Sequence, residues 1–185
     1  MPHTFLSPES SLLVIDVQER LIGSMPEEQM ERCLHATKTL VELAGEVGAP
    51  IVYTEQYPKG LGPTEPSLLE ALRANDAERV EKVTFDACSA PGFHKHLIEL
   101  PRRIVVCGME THICVHATVR ELIERRHDVV VPRDCVISRS PDNFENGLQM
   151  MDKLGAKITN YETVVFDALK SSKHEAFKKF SKLVR

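Results

Sequence analysis

The amino-acid sequence predicts an α/β fold: a three-layer, doubly wound, six-stranded parallel sheet with helices on both faces. Short segments that are apolar on both faces alternate with longer segments of helical periodicity from one end of the chain to the other. That alternation is typical of parallel strands joined by right-handed helical crossovers. The 185 residues are 42% hydrophobic and 27% charged, which suits one domain over residues 1–185 with a continuous core.

The first half of the chain supplies three of the predicted strands. Residues 11–16 (S-L-L-V-I-D) form an apolar run that ends in a carboxylate, and residues 51–54 and 79–83 are the second and third strands. Between them, residues 26–47 show apolar side chains at three- and four-residue steps, which predicts a helix that ends at Gly48. A shorter helix is predicted over residues 68–73. Residues 55–66 hold three prolines and two glycines without periodicity, so we predict a long functional loop there.

The second half of the chain repeats the same alternation. Residues 103–107, 128–131 and 156–159 are the fourth, fifth and sixth predicted strands. Helices are predicted over residues 94–99, 112–126 and 141–154, and Gly155 ends the last of these. Two short helices complete the C-terminus. No internal repeat or linker interrupts the pattern, which supports a single domain.

Composition and charge argue against several classes of partner. The formal net charge is −4, and the one basic cluster, at the C-terminus, alternates with apolar residues as in a solvated helix, so we predict no nucleic-acid partner. No apolar run approaches the ~20 residues of a membrane span, and no basic segment precedes an apolar one at the N-terminus. The five cysteines include no C-x-x-C pair, which predicts neither a disulfide framework nor a zinc site and favours a cytoplasmic location.

Three reactive side chains are predicted to meet at the carboxyl edge of the sheet, where open α/β sheets bind ligands. Asp16 ends the first strand, Lys82 lies near the end of the third, and Cys114 opens the helix after the fourth. A helix N-terminus and a nearby ammonium favour a thiolate, and a carboxylate can accept the thiol proton. A capping aspartate, a solvated lysine and a buried cysteine are equally good explanations from spacing alone.

Three sequence blocks strengthen the catalytic interpretation: L-L-V-I-D-V-Q, E-K-V-T-F-D-A-C and C-G-M-E-T-H-I-C-V. They resemble the isochorismatase-like cysteine hydrolase superfamily, which includes nicotinamidases, N-carbamoylsarcosine amidases and isochorismatases. The resemblance covers nearly the whole chain and implies a Rossmann-like strand order, with Asp16, Lys82 and Cys114 as catalytic residues. It also implies a cis peptide bond between Met109 and Glu110. The backbone N–H groups of Glu110 and Cys114 would then form an oxyanion hole.

The loop Y-T-E-Q-Y-P-K-G-L-G-P-T resembles that of the isochorismatase domain-containing proteins, a subgroup without an assigned substrate. Metal-dependent nicotinamidases carry an aspartate and histidines between the second and third strands, whereas this chain has no histidine from Ala36 to Phe93. We therefore predict no metal and no cofactor. Because members of the superfamily form dimers, tetramers and larger rings, the resemblance also implies a homo-oligomer.

Several further residues are weaker candidates for a functional role. Substrate contact and ordinary packing are equally good explanations for a group of five residues: Gln18, Gln56, Tyr57, Phe85 and Thr111. His112 and His116 are spaced to share a helix face, but without a third ligand we interpret them as ordinary polar positions. Cys88 could resolve an oxidised Cys114, although a small buried residue is the favoured interpretation.

The resulting hypothesis is a metal-independent hydrolase that cleaves a small amide or related C–N bond through a cysteine thioester. Its partner would be a small-molecule substrate. Two alternatives remain open: a scaffold or binding protein with little or no turnover, and a C–O hydrolase that acts on an enol ether as isochorismatases do.

Overall fold

The fold is a parallel sheet with helices on both faces. The computed structural model describes residues 4–99 and 101–184. Within them the strands, numbered along the chain, are β1 Ser10–Ile15, β2 Ile51–Gln56, β3 Glu78–Lys82, β4 Arg103–Met109, β5 Asp128–Pro132, β6 Val136–Ile137 and β7 Lys157–Thr159. Their order across the sheet is β3-β2-β1-β4-β5-β7, and β6 pairs with β4. All the pairings between these strands are parallel.

This strand order confirms the predicted doubly wound sheet and its Rossmann-like arrangement. The chain begins in the middle of the sheet, runs outward to β3 and then returns to β4 on the other side of β1. The direction of winding reverses between β1 and β4, which opens a crevice at their carboxyl ends. The additional strand, β6, has only two residues, too few to show a periodicity in the sequence.

The helices follow the predicted order with three differences. They are α1 Glu19–Ile22, α2 Glu27–Val47, α3 Pro58–Leu61, α4 Pro66–Ala74, α5 His94–Glu99, α6 His116–Glu124, α7 Pro141–Leu154, α8 Tyr161–Leu169 and α9 Phe177–Leu183. The predicted helix over residues 112–126 begins instead as a π-helical turn, Thr111–Val115, before α6. The four-residue helix α1 was not predicted. The prediction of an irregular loop over residues 55–66 is wrong in part, because β2 continues to Gln56 and α3 forms a turn that begins at Pro58.

The core lies in two layers, one on each face of the sheet. Alternate residues of β1 point to opposite layers: Leu12 and Val14 join the core under α2, α8 and α9, whereas Leu13 and Ile15 join the core under α6 and α7. This alternation explains why β1 is apolar on both faces in the sequence. Among the described residues, no helix is both long and apolar enough to cross a membrane.

Gly108 allows β1 and β4 to approach closely beside the crevice. It lies opposite Ile15 in the strand register, with a φ of 121°. A Cβ at this position would collide with the backbone carbonyl of Ile15, which cannot move without disturbing the centre of the sheet. Gly48 also has a positive φ, 71°, but a Cβ there would have no atom within 4 Å.

Gly108→Ala should therefore lower the free energy of unfolding by about 3 kcal/mol or more, since backbone strain and a backbone collision add. Gly48→Ala should cost about 1–2 kcal/mol, because only the strain applies. Urea denaturation of the two variants beside the wild type measures the difference. Equal losses would contradict the close approach of β1 and β4 at Gly108.

Candidate functional site

Asp16 is the first component of the site, and β2 holds it in place. It follows β1 directly, is fully buried and has a φ of 53°, which is uncommon for a residue other than glycine. Its N–H donates to the Thr54 carbonyl oxygen at 3.1 Å. The Thr54 hydroxyl in turn donates to Asp16 Oδ1 at 2.6 Å. One carboxylate oxygen is therefore occupied by a neighbouring strand.

Lys82 ends β3 and reaches the same carboxylate. Its Nζ lies 2.6 Å from Asp16 Oδ2, and both side chains are fully buried. The ammonium donates hydrogen bonds to Gln56 Oε1 at 2.7 Å and to the carbonyl oxygens of Thr84 and Phe85 at 3.1 and 3.2 Å. Together with Asp16 Oδ2 they make four acceptors around an ammonium that has three hydrogens, so at least one hydrogen is shared. Among the described residues, Asp16 Oδ2 has the Lys82 ammonium beside it and no hydrogen-bond partner on the other strands, which leaves a lone pair able to accept a proton.

Cys114 lies in the π-helical turn between β4 and α6 and is 7% exposed. Its carbonyl oxygen accepts a hydrogen bond from the Thr118 hydroxyl at 2.7 Å, and that hydroxyl accepts one from the Ala87 N–H at 3.0 Å. The segment that follows Lys82 is therefore tied to the turn that carries the thiol. Asp16 and Lys82 both interact with the Cys114 side chain, so the three residues form one cluster.

The pKa of the Cys114 thiol differs from the sequence-based expectation. Burial, reinforced by the negative charge of Asp16, raises this pKa to about 12, and the Lys82 ammonium opposes the rise only in part. The expected preference for a thiolate is therefore wrong for the resting protein. At neutral pH the thiol keeps its proton and faces a carboxylate that can take it.

The turn beside Cys114 is held from two sides. The Met109–Glu110 peptide bond is cis, which confirms the prediction. A Cβ on Gly147 of α7 would approach the His112 backbone nitrogen to 2.9 Å, so only glycine allows this contact between α7 and the turn. On the other side, His112 Nδ1 lies 3.0 Å from the Ser138 hydroxyl.

The weaker candidates occupy different positions around this cluster. Gln56 contacts Lys82 directly, and the Thr111 hydroxyl is buried without a hydrogen-bond partner in the described chain, which leaves it able to contact a ligand. Tyr57 and Phe85 are 55% and 63% exposed and flank Lys82 through backbone contacts. Gln56 therefore lies at the cluster, Thr111 lies in the turn that carries Cys114, and the two exposed aromatic residues lie beside Lys82.

Gln18 has a different environment. Its side chain is buried, and its Nε2 donates to the carbonyl oxygens of Gln56 and Gly62 at 3.0 and 2.6 Å. Its Oε1 accepts the Gln56 N–H at 2.7 Å. These bonds tie the 56–62 segment to the end of β1, so any effect of Gln18 on a substrate would pass through Gln56.

Three residues of the site were missed by sequence reasoning. Thr54 supports Asp16 only because β1 and β2 pair with Ile15 opposite Thr54, a register that the sequence does not reveal. Gly147 comes from a helix far along the chain. Thr118 carried a usable signal, since a threonine four residues after Cys114 on a helix can bond back to its carbonyl.

Metal binding has little structural basis among the described residues, where no group of three or more His, Cys, Asp or Glu side chains is arranged to hold an ion. His116, which the sequence pairs with His112, is partly buried, and that burial lowers the pKa of its ring, with Arg120 contributing. Cys88 is fully buried, and burial raises the pKa of its thiol to about 12.

Comparison with known proteins identifies the family. The isochorismatase domain model matches residues 10–163, which include all the components of the cluster. The chain belongs to the isochorismatase family. It is 34% identical over 185 residues to the secreted isochorismatase effector Isc1 of Phytophthora sojae, covering 97% of this chain and 87% of that protein. It is 33% identical over 180 residues to isochorismatase domain-containing protein 2 of Xenopus laevis, covering 95% of this chain and 83% of that protein.

Solved structures show the same fold. The structure described as the MAR1 ribonuclease of Caenorhabditis elegans matches with a TM-score of 0.88 and 32% identity, over 97% of this family member and 91% of that chain. YcaC of Pseudomonas aeruginosa, described with covalent acrylamide, matches with a TM-score of 0.83 and 20% sequence identity. The match covers 97% of this chain and 95% of that chain. YcaC of Escherichia coli, described as an octameric hydrolase, matches with a TM-score of 0.83 and 19% sequence identity. The match covers 100% of this chain and 96% of that chain. The two YcaC matches establish the fold alone.

Alkylation of Cys114 should reflect its raised pKa. Because only the thiolate reacts, the rate of modification by neutral iodoacetamide should rise about tenfold per pH unit from pH 7 to 10, without a plateau. Peptide mass spectrometry separates Cys114 from the other cysteines, and Cys114→Ala identifies its signal. A rate that levels off near pH 7 would contradict a protonated resting thiol.

The hydroxyl of Thr54 should contribute to stability. Thr54→Val keeps the shape of the side chain but leaves buried Asp16 Oδ1 without its donor, which should cost about 1–3 kcal/mol in the free energy of unfolding. Thr54→Ser keeps the hydroxyl and should lower the free energy of unfolding by less than Thr54→Val does. Thermal and urea denaturation measure the stability of both variants. An equal loss of stability in the two would show that packing, rather than the hydrogen bond, explains the effect.

Proposed function

We propose that this family member is a hydrolase that uses Cys114 as its nucleophile and cleaves a small amide or related C–N bond through a thioester. One observation carries the proposal: Asp16 and Lys82 form a buried ion pair against the Cys114 thiol, and among the described residues Asp16 Oδ2 has no hydrogen-bond partner on the other strands besides that lysine. A base with a free lone pair therefore faces a protonated nucleophile. The 7% exposure of Cys114 limits access to small groups.

The reaction begins when the Cys114 sulfur attacks the amide carbonyl carbon and the thiol proton passes to Asp16. The carbonyl oxygen becomes negatively charged and accepts hydrogen bonds from the backbone N–H groups of Glu110 and Cys114. The C–N bond then breaks, and the nitrogen leaves with the proton from Asp16. Water, deprotonated by Asp16, attacks the thioester, which releases the carboxylic acid and restores the thiol.

The charges of the cluster suit this sequence of steps. At rest, Asp16 is negative, Lys82 is positive and Cys114 is neutral, so the net charge of the three groups is zero. In the tetrahedral intermediate Asp16 is neutral and the oxyanion carries the negative charge, again beside Lys82. Because the net charge does not change in a buried site, little solvent reorganisation is needed. The raised pKa of Cys114 is compatible with this route, since no free thiolate accumulates.

The proposal extends to the assembly and location of the protein. We propose a homo-oligomer, because three large apolar side chains beside the site, Tyr57, Val83 and Phe85, are exposed in the single chain. The octameric hydrolase from Escherichia coli shares this fold. Five cysteines that are all free and buried suit a reducing compartment, so we propose a cytoplasmic location.

Acyl-enzyme trapping tests the catalytic proposal. The wild type, incubated with a panel of small neutral saturated amides, should give an intact-mass increase equal to the acyl group and should release acid. Cys114→Ala should lose the adduct and at least about a thousandfold of the rate.

Cys88→Ala is the matched control, because Cys88 is a buried thiol with a similarly raised pKa outside the cluster. It should keep the adduct and the activity. Turnover that persists in Cys114→Ala would refute the thioester route. Turnover of an enol ether without any adduct would instead support the C–O hydrolase alternative.

A further inference from the structure

A concave site lies at the amino-terminal edge of the sheet, opposite the cysteine cluster. The seven residues of β4 separate the two edges by roughly 20 Å. The groove has a volume of about 900 Å³, and its cationic lining residues are Arg102, Arg103, Arg126, Lys157 and Lys170. A volume of this size suits a small molecule.

The groove is strongly positive although the protein is negative. Among the described residues that line it, five are Lys or Arg and two, Glu9 and Asp128, are acids, which leaves an excess of three positive charges. The whole chain has a formal net charge of −4. Local concentration of one sign of charge in a concave surface raises the affinity for ions of the opposite sign.

The floor of the groove is a fixed charge network. Asp128 Oδ2 accepts hydrogen bonds from Arg103 Nε and Nη2 at 2.8 and 2.6 Å, and Lys157 Nζ lies 2.7 Å from Oδ1. Arg103 also donates to the Thr4 carbonyl oxygen at 2.6 Å. One acid between two cations leaves a net positive floor, and these contacts hold its side chains in place.

The rim carries cations without partners. Arg102, Arg126 and Lys170 are exposed, and none forms an ion pair with the described part of the chain. Arg126 and Lys170 have φ angles of 67° and 59°, a conformation that glycine adopts more easily. His127 also lines the groove, and its buried Nδ1 has no hydrogen-bond partner among the described residues.

We propose that this groove binds a phosphorylated small molecule. A phosphate group carries up to two negative charges and several acceptor oxygens, which match the unpaired Arg102, Arg126 and Lys170. The floor network would add attraction without having to rearrange. A nucleic-acid polymer fits less well, because the groove is bounded and, among the described residues, no Phe, Tyr or Trp side chain lines it for base stacking.

Titration calorimetry with inorganic pyrophosphate tests the site on the full chain, at a constant ionic strength of about 0.15 M so that general screening does not change. The wild type should show saturable binding with one site per chain. Arg126→Gly with Lys170→Gly should weaken binding at least about tenfold. Glycine suits both backbone conformations, so this double variant should remain folded, which thermal denaturation checks.

Lys178→Gln with Lys182→Gln is the matched control. Both lysines are exposed on α9, outside the groove, and the double change alters the net charge by the same two units. It should leave pyrophosphate binding unchanged. Equal weakening in both double variants would show that only net charge matters and would overturn the site.

Two further results would also overturn the proposal. The absence of saturable binding would mean that Arg126 and Lys170 serve only to neutralise the carboxyl ends of α6 and α8, which they follow. Saturable binding of a single-stranded RNA oligonucleotide, with none of pyrophosphate, would assign the groove to a polymer instead. The binding assay needs no turnover, so its outcome is separate from that of the amide hydrolase proposal.

Discussion

The buried ion pair between Lys82 and Asp16 is the interaction on which the candidate site depends. Removing two charges from water is unfavourable unless their remaining hydrogen-bonding groups are satisfied. Here the Thr54 hydroxyl occupies one carboxylate oxygen, and Gln56 with two backbone carbonyls occupies the ammonium. Among the described residues, the other carboxylate oxygen, Asp16 Oδ2, has only the Lys82 ammonium beside it from these strands, and the proposed proton transfer would use its remaining lone pair.

The surrounding structure holds the ion pair and the thiol in position relative to each other. Asp16 follows β1 and Lys82 ends β3, and β2 lies between these two strands. The β2 residues Thr54 and Gln56 are therefore positioned to contact both members of the pair. Gln18 fixes the backbone of Gln56 on both sides, and Thr118 links the turn of Cys114 to the segment after Lys82. The supporting contacts therefore come from backbone groups, buried hydroxyls and the buried Gln18 amide.

The two edges of the sheet have opposite electrostatic character. At the carboxyl edge the charges of Asp16 and Lys82 neutralise each other within the protein. At the amino edge an excess of positive charge faces solvent, and three cations lack partners in the described chain. Parallel strands explain why such a difference can arise, since all their carboxyl ends, and with them the helix N-termini, meet at one edge.

The order of elements and the parallel sheet followed from the sequence, because apolar periodicity is a local property. Asp16, Lys82 and Cys114 were predicted as the site from three sequence blocks that resemble the isochorismatase-like hydrolases, since strand-end position alone left structural roles equally open. The support from Thr54 and Gly147, the structural contact of Gln18 and the sign of the pKa change at Cys114 did not follow from the sequence. Each of these depends on strand register, on packing between distant elements or on burial. Those properties arise only when the chain folds, so the tertiary structure alone decided them.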